Sequence, residues 1–188
     1  MKTIQLALIA SVFALGACQR DTSRVDTAAN DLGTNDMILE NETANVTNTA
    51  STSVDSAFVT EAMKGDNGEV AIGNLAATQA SSEAAKEFGR TLASDHGGHK
   101  QKLVTLASSA GVAPTDEPSD EAKSNLEKLK TLKGAEFDRE FKRMMIEDHE
   151  KDIAKYEEQA STGDPETSAL AKETLPTLRK HLATAKSL

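Results

Sequence analysis

The residues of this chain with chemistry to offer are imidazoles and carboxylates set at helical spacings. The four histidines are His96, His99, His149 and His181. His96 and His99 stand three apart in SDHGGHK (Ser94 to Lys100), with two glycines between them. Imidazole nitrogen together with carboxylate oxygen suits divalent transition metals, and Zn, Fe, Mn and Cu all accept such a set. The carboxylates that could join are Glu69, on one stripe with Ile72 and Ala76, and Asp152, one turn beyond Asp148 and His149. Asp95 and Asp148 each directly precede a histidine and project about 100° away from it. That direction suits them to orient imidazoles, or to reach a neighbouring helix, rather than to bind an ion themselves.

Helices must position these groups. From about Val54 to Leu188 no alternating Val/Ile/Thr pattern suggests a sheet, and a helical period appears in four long stretches. The first spans about Asp55 to Ala80, with Phe58, Ala62, Glu69, Ile72 and Ala76 inward; KGDNGE is expected to break or kink it near Gly65 to Gly68. The second runs from the N-cap Ser82 to Ala110, ended by Gly111 and Pro114. A short piece, Ser119 to Leu132, stops at Gly134. The third long helix covers about Ala135 to Ala160, with Phe137, Phe141, Met145, His149, Ile153 and Tyr156 inward. The last, about Pro165 to Lys186, carries Leu170, Leu175, Leu178 and Leu182 and is expected to kink at Pro176. Two helical hairpins with a longer central connection predict an all-α four-helix bundle with a short extra helix in that connection.

Each long helix turns at least one polar group toward the core. His96 lies one turn after Leu92, His149 sits between Met145 and Ile153, and His181 follows Leu178 by three. Counted at 1.5 Å per residue, Glu69, His96, His149 and His181 lie roughly 18 to 24 Å from their hairpin turns, which predicts one polar layer in mid-bundle. Buried polar groups without partners cost several kcal/mol each, so the layer is a hydrogen-bonded network, a metal site or a water-filled pocket. Gly97 and Gly98 each cost about 1 kcal/mol relative to Ala in a helix interior. Their position predicts that they remove bulk beside the layer, for close helix approach or for water or a ligand. FGRTLASDHGGH (Phe88 to His99) also aligns without a gap to FKRMMIEDHEKD (Phe141 to Asp152), an internal repeat that superimposes Phe and Asp-His.

The segments FVTEAMKGDNGEVAIGNLA, FGRTLASDH, LKGAEFDREFKRMMIEDHEKDIAKYEEQA and TLPTLRKHLATA resemble a bacterial envelope family catalogued as domain of unknown function 4142 and grouped with ferritin-like bundles. The resemblance covers about Phe58 to Leu188. It implies a ferritin-like bundle in an exported, often lipid-anchored protein, and its pattern falls on Glu69, Asp95, His96, Asp148, His149, Asp152 and His181. His99 departs from it, since the family more often has a small residue there. The family brings no established activity. Di-iron bundles use Glu-x-x-His on two helices, and no histidine here has Glu three residues before it.

The amino terminus reads as an export signal. Lys2 precedes an apolar run, Ile4 to Leu15, that is too short to span a bilayer as a mature helix. LGAC then places small residues before Cys18, the only cysteine. This resembles a lipoprotein signal: residues 1–17 as signal peptide, Cys18 as the lipidated residue, and 18–53, rich in Thr, Asn, Ser, Asp and Ala, as a disordered tether. Gln19 in place of Asp directs such an anchor to the outer membrane, facing the periplasm. A net charge of −9 with few aromatic residues excludes the basic, stacking surface that nucleic acids need. It also disfavours binding to anionic lipid headgroups, leaving the N-terminal lipid as the only expected membrane attachment.

Three kinds of function remain open on these residues. One is a bundle binding a transition metal through Glu69, His96, His149 and His181, with Asp152 and His99 as further ligands. A second is a structural or envelope-stress interaction module in which the same groups form an internal network. The third is a metal-dependent oxidase. No catalytic residue, organic cofactor or protein partner is legible.

Overall fold

The computed structural model describes residues 54–188, so the expected signal peptide (1–17), Cys18 and the expected tether (18–53) lie outside the described residues. Five helices follow in order: α1 (Ser56–Gln79), α2 (Glu83–Ala110), α3 (Asp120–Thr131), α4 (Gly134–Thr162) and α5 (Pro165–Ser187). No strand occurs among the described residues. The all-α bundle with a short helix in its central connection is what the periodicity requires. The caps explain the boundaries. Asp55, Ser82, Ser119 and Asp164 each accept a backbone N–H from the first turn of their helix, and Gly111 closes α2 in the left-handed region at φ 71°.

α1 pairs with α2 and α4 with α5 as antiparallel hairpins, while α2 lies against α5 and α1 against α4. Ala80, Ala85, Phe137, Phe141 and Ala185 share one apolar cluster at one end, and Val59, Met63, Leu103, Ala107 and Leu170 share another at the opposite end. α2 and α4 are therefore diagonal and run in the same direction. The connection between them must travel the length of the bundle, an arrangement with one long crossover. The two copies of the internal repeat face each other across that diagonal, with the Phe88 and Phe141 rings 5.9 Å apart and the His96 and His149 rings 5.7 Å apart.

The expected break in α1 is absent: the helix runs unbroken through KGDNGE. The crossover explains why Gly68 stands there, whereas a Cβ on Gly65 would meet nothing within 4 Å. Ala122 of α3 lies so close that a Cβ on Gly68 would come within 2.4 Å of its own Cβ. Asn67 donates from Nδ2 to the carbonyls of Thr115 and Glu117 at 3.0 and 3.3 Å, and the Ser119 N–H reaches the Lys64 carbonyl at 3.3 Å. The segment is thus the seat for the crossover. α5 likewise continues through Pro176, which is exposed, as is Lys172, whose carbonyl loses its donor.

At each hairpin turn a carboxylate of the second hairpin ties it to the first. Asp138 of α4 accepts Ser81 N–H, Ser81 Oγ–H and Ser82 N–H at 2.7–2.9 Å. Asp164 accepts the Asp55 N–H at 2.8 Å. These ties fix the heights of the helices, and so the level at which their polar groups meet.

Candidate metal centre

Between the two apolar ends, Glu69 from α1, His96 from α2, His149 from α4 and His181 from α5 meet in one buried layer. His149 is 0 % exposed, His181 1 % and Glu69 5 %. One ring nitrogen each of His96, His149 and His181 lies within 4.8 Å of the others.

Hydrogen bonds determine which nitrogens face inward. The His149 Nδ1–H donates to the Met145 carbonyl at 2.8 Å, which leaves Nε2 with a free lone pair. His96 Nδ1 lies 2.9 Å from Asp66 Oδ1, and His181 Nε2 lies 2.9 Å from Asp95 Oδ2. An ionised carboxylate only accepts, so each of these nitrogens carries the proton. A carbonyl or carboxylate behind each ring is the arrangement that fixes tautomer and orientation in histidine metal sites. His149 Nε2 and His181 Nδ1 then face each other at 3.3 Å. With both rings neutral, two lone pairs point at one another, and only a cation or a proton between them resolves that contact. His96 Nε2 is buried without any partner, as is Glu69 Oε2.

The electrostatics of the layer follow from burial and from these partners. Burial lowers the His149 imidazole to about 3, with His96 and His181 beside it acting in the same direction. Burial also lowers His181 below its ordinary value, against the raising effect of Asp95. His96 is lowered by burial too, but Asp66 and Glu69 outweigh this and raise it overall. Burial raises the Glu69 carboxyl to about 8, so it is mostly neutral at pH 7.

A cavity of about 200 Å³ opens beside the layer, walled by Glu69, His96, His99, Asp152, Tyr156 and His181 among others. His99 sits here, outside the trio, with Nδ1 2.8 Å from Asp66 Oδ2 and Nε2 unpartnered. Asp152 is also on the cavity wall, its carboxyl raised chiefly by burial. Asp95 orients His181 from across the α2–α5 interface. Asp148 does not play the corresponding part. The Met145 carbonyl already occupies His149 Nδ1, and no hydrogen bond joins Asp148 to a histidine among the described residues. Its closest charged partner is Lys151 at 3.9 Å, and burial raises its carboxyl to about 6.

Two features differ from the sequence expectation. Of the two roles expected for Gly97 and Gly98, close helix approach is not met, while room beside the layer is present at Gly98. A Cβ on Gly97 would meet only Val70 Cγ2 at 4.0 Å, and one on Gly98 would meet nothing within 4 Å. Gly98 instead lines a groove between α2 and α5 with Asp95, His99 and Thr177. The close crossing is at Gly73 and Gly89, where a Cβ on either would stand 2.6 Å from the other's carbonyl oxygen. The second difference is Asp66, which sequence reasoning passed over as part of a helix break. Buried at the centre, it accepts from two histidines. Burial pushes its carboxyl up, but those two hydrogen bonds outweigh it and hold the carboxyl below its ordinary value. Its spacing of three from Glu69 is the signal that places both on one helix face.

Fold and site together define a helical bundle with a buried histidine cluster capable of holding a metal ion. The chain belongs to the family described as Domain of unknown function (DUF4142), whose model matches residues 40–188. The match begins within the stretch read from sequence as tether. No curated protein matches the chain, and no solved structure does.

Proposed function

We propose that the bundle binds one divalent transition-metal ion through His96 Nε2, His149 Nε2 and His181 Nδ1, with Glu69 in the same layer but outside the converging trio. The observation that carries this reading is the set of three acceptors behind the rings: Asp66, the Met145 carbonyl and Asp95 each hold the outer nitrogen, so the free nitrogens converge. Tetrahedral Zn–N bonds of about 2.0–2.1 Å place ligand nitrogens about 3.3–3.4 Å apart, and the His149–His181 pair stands at 3.3 Å. A donor set dominated by imidazole favours Zn, Cu or Fe over Mn. Metal analysis of untagged protein tests it: close to one equivalent per chain is expected, and its loss in His149→Ala and His96→Ala.

A second reading has one observation in its favour. The same 3.3 Å suits a hydrogen bond from a doubly protonated His181, which would donate to both His149 and Asp95. The layer would then be an internal polar network in a structural or envelope-stress module. That arrangement leaves His96 Nε2 buried without a partner, whereas a metal ion would pair it, which is why metal binding is preferred.

The setting we propose is the periplasmic face of the outer membrane, with Cys18 lipidated after removal of residues 1–17. The support is LGAC followed by Gln19. No helix among the described residues is long and apolar enough to cross a membrane. The wild type should fractionate with membranes and Cys18→Ser should block processing; mass spectrometry of an unlipidated mature chain would remove the anchor.

A further inference from the structure

The geometry points to an exchangeable fourth position on the metal, occupied by a small, neutral oxygen- or nitrogen-donor molecule bound in the adjoining cavity. This rests on the metal reading above and goes beyond it, because a buried ion can equally be closed off by protein ligands.

Closed structural sites surround the ion with four protein ligands, whereas open sites supply three and leave the fourth to water or substrate. Here the converging group has three members. The trio is also lopsided. His149 is fully enclosed, while His96 and His181 form part of the cavity wall. At about 30 Å³ per water, the 200 Å³ cavity has room for several waters or for one molecule of a few heavy atoms.

Two polar atoms on the same wall await a partner. Glu69 Oε2 and His99 Nε2 are buried and make no hydrogen bond. They belong to residues 5 % and 9 % exposed, on opposite helices of the first hairpin. Leaving such atoms unpaired is costly, and a ligand held between them would pair both. The wall also sets the ligand's charge. Glu61, Glu121, Asp148 and Asp152 line the cavity beyond Glu69, against Lys151 and Lys155. An anion would approach the metal through an acidic surround, so a neutral donor is favoured over an anionic one.

Cobalt(II) is the probe, because its visible bands report coordination directly. Protein loaded with one equivalent of Co(II) is titrated with imidazole as the neutral donor and with azide and formate as anions, with retained cobalt measured at each step. Imidazole should shift the bands saturably, at one per cobalt and at least tenfold lower concentration than either anion, with the cobalt retained. Glu61→Gln combined with Glu121→Gln should narrow that gap. Glu69→Gln should weaken imidazole binding several-fold. Bands that none of the probes alters, while cobalt stays bound, would mean a closed site and overturn the inference but not the metal reading. Azide or formate binding more tightly than imidazole would overturn the neutral-ligand assignment. If no cobalt bands develop at all, the metal reading falls and this inference falls with it.

Discussion

His149 Nε2 and His181 Nδ1 face one another at 3.3 Å, and the opposite nitrogen of each ring is already committed to an acceptor. With both imidazoles held neutral by burial, this contact repels unless a cation or proton lies in it. The pair is set by four helices whose heights are fixed by the Asp138 and Asp164 ties at the hairpin turns.

Asp66 should matter to the metal although it is not a ligand. Asp66→Asn replaces a carboxylate that accepts from two imidazoles with an amide that accepts through one oxygen. Loss of an acceptor behind a ligating histidine typically lowers metal affinity about 10–100-fold, and a fall in that range is expected. Lys128→Ala on α3, away from the cavity wall, is the control and should leave affinity unchanged. Equal affinities for Asp66→Asn and wild type would show that His96 does not need its acceptor.

The metal-free protein should have opposed pH sensitivities. Glu69 is raised in the folded state from 4.5 to about 8, so the unfolded chain releases that proton first and stability falls as pH rises from 4.5 to 8. His149 is lowered from 6.5 to about 3, so the unfolded chain takes up that proton first and stability falls as pH drops from 6.5 to 3. Glu69→Gln removes the first effect. The variant should be more stable than wild type at pH 7, by on the order of 3 kcal/mol at ~1.4 kcal/mol per pH unit, and the two should converge near pH 4.5. Denaturant titrations of chelator-treated protein across that range check this; a pH-independent difference would contradict it.

The glycines separate by position. Gly98→Ala meets open space and should stabilise α2 by up to about 1 kcal/mol. Gly68→Ala drives a methyl against Ala122 of the crossover and Gly73→Ala drives one against the Gly89 carbonyl. Both should destabilise, typically by about 1–3 kcal/mol as overpacking does. Thermal melts order the three variants, and a neutral Gly68→Ala would mean that α3 is loosely seated.

Most of the fold is legible in the sequence because its signals are local. Ser82, Ser119 and Gly111 mark ends that need no tertiary information, and the stripe through Leu92 and His96 fixes which face of α2 turns inward. The mid-bundle meeting of Glu69, His96, His149 and His181 follows from counting residues back from each turn. What was not legible depends on contacts between elements distant in sequence. KGDNGE reads as a breaker because the crossover that seats on Gly68 and Asn67 lies about fifty residues away. Asp66 was hidden by the same misreading. Asp148 looked equivalent to Asp95 through the repeat. The Met145 carbonyl, a backbone group invisible to any side-chain pattern, takes its place behind His149.

Direct metal titration tests the central claim most closely. Chelator-treated protein is titrated calorimetrically at neutral pH with Zn, Cu, Mn and anaerobic Fe(II). The account predicts that at least one ion binds at one per chain with Kd well below 100 μM, more weakly as pH falls and imidazoles protonate, and that His149→Ala abolishes the binding. If no ion binds more tightly than about 100 μM, about 5.5 kcal/mol, the layer is a structural polar network and the metal reading is wrong.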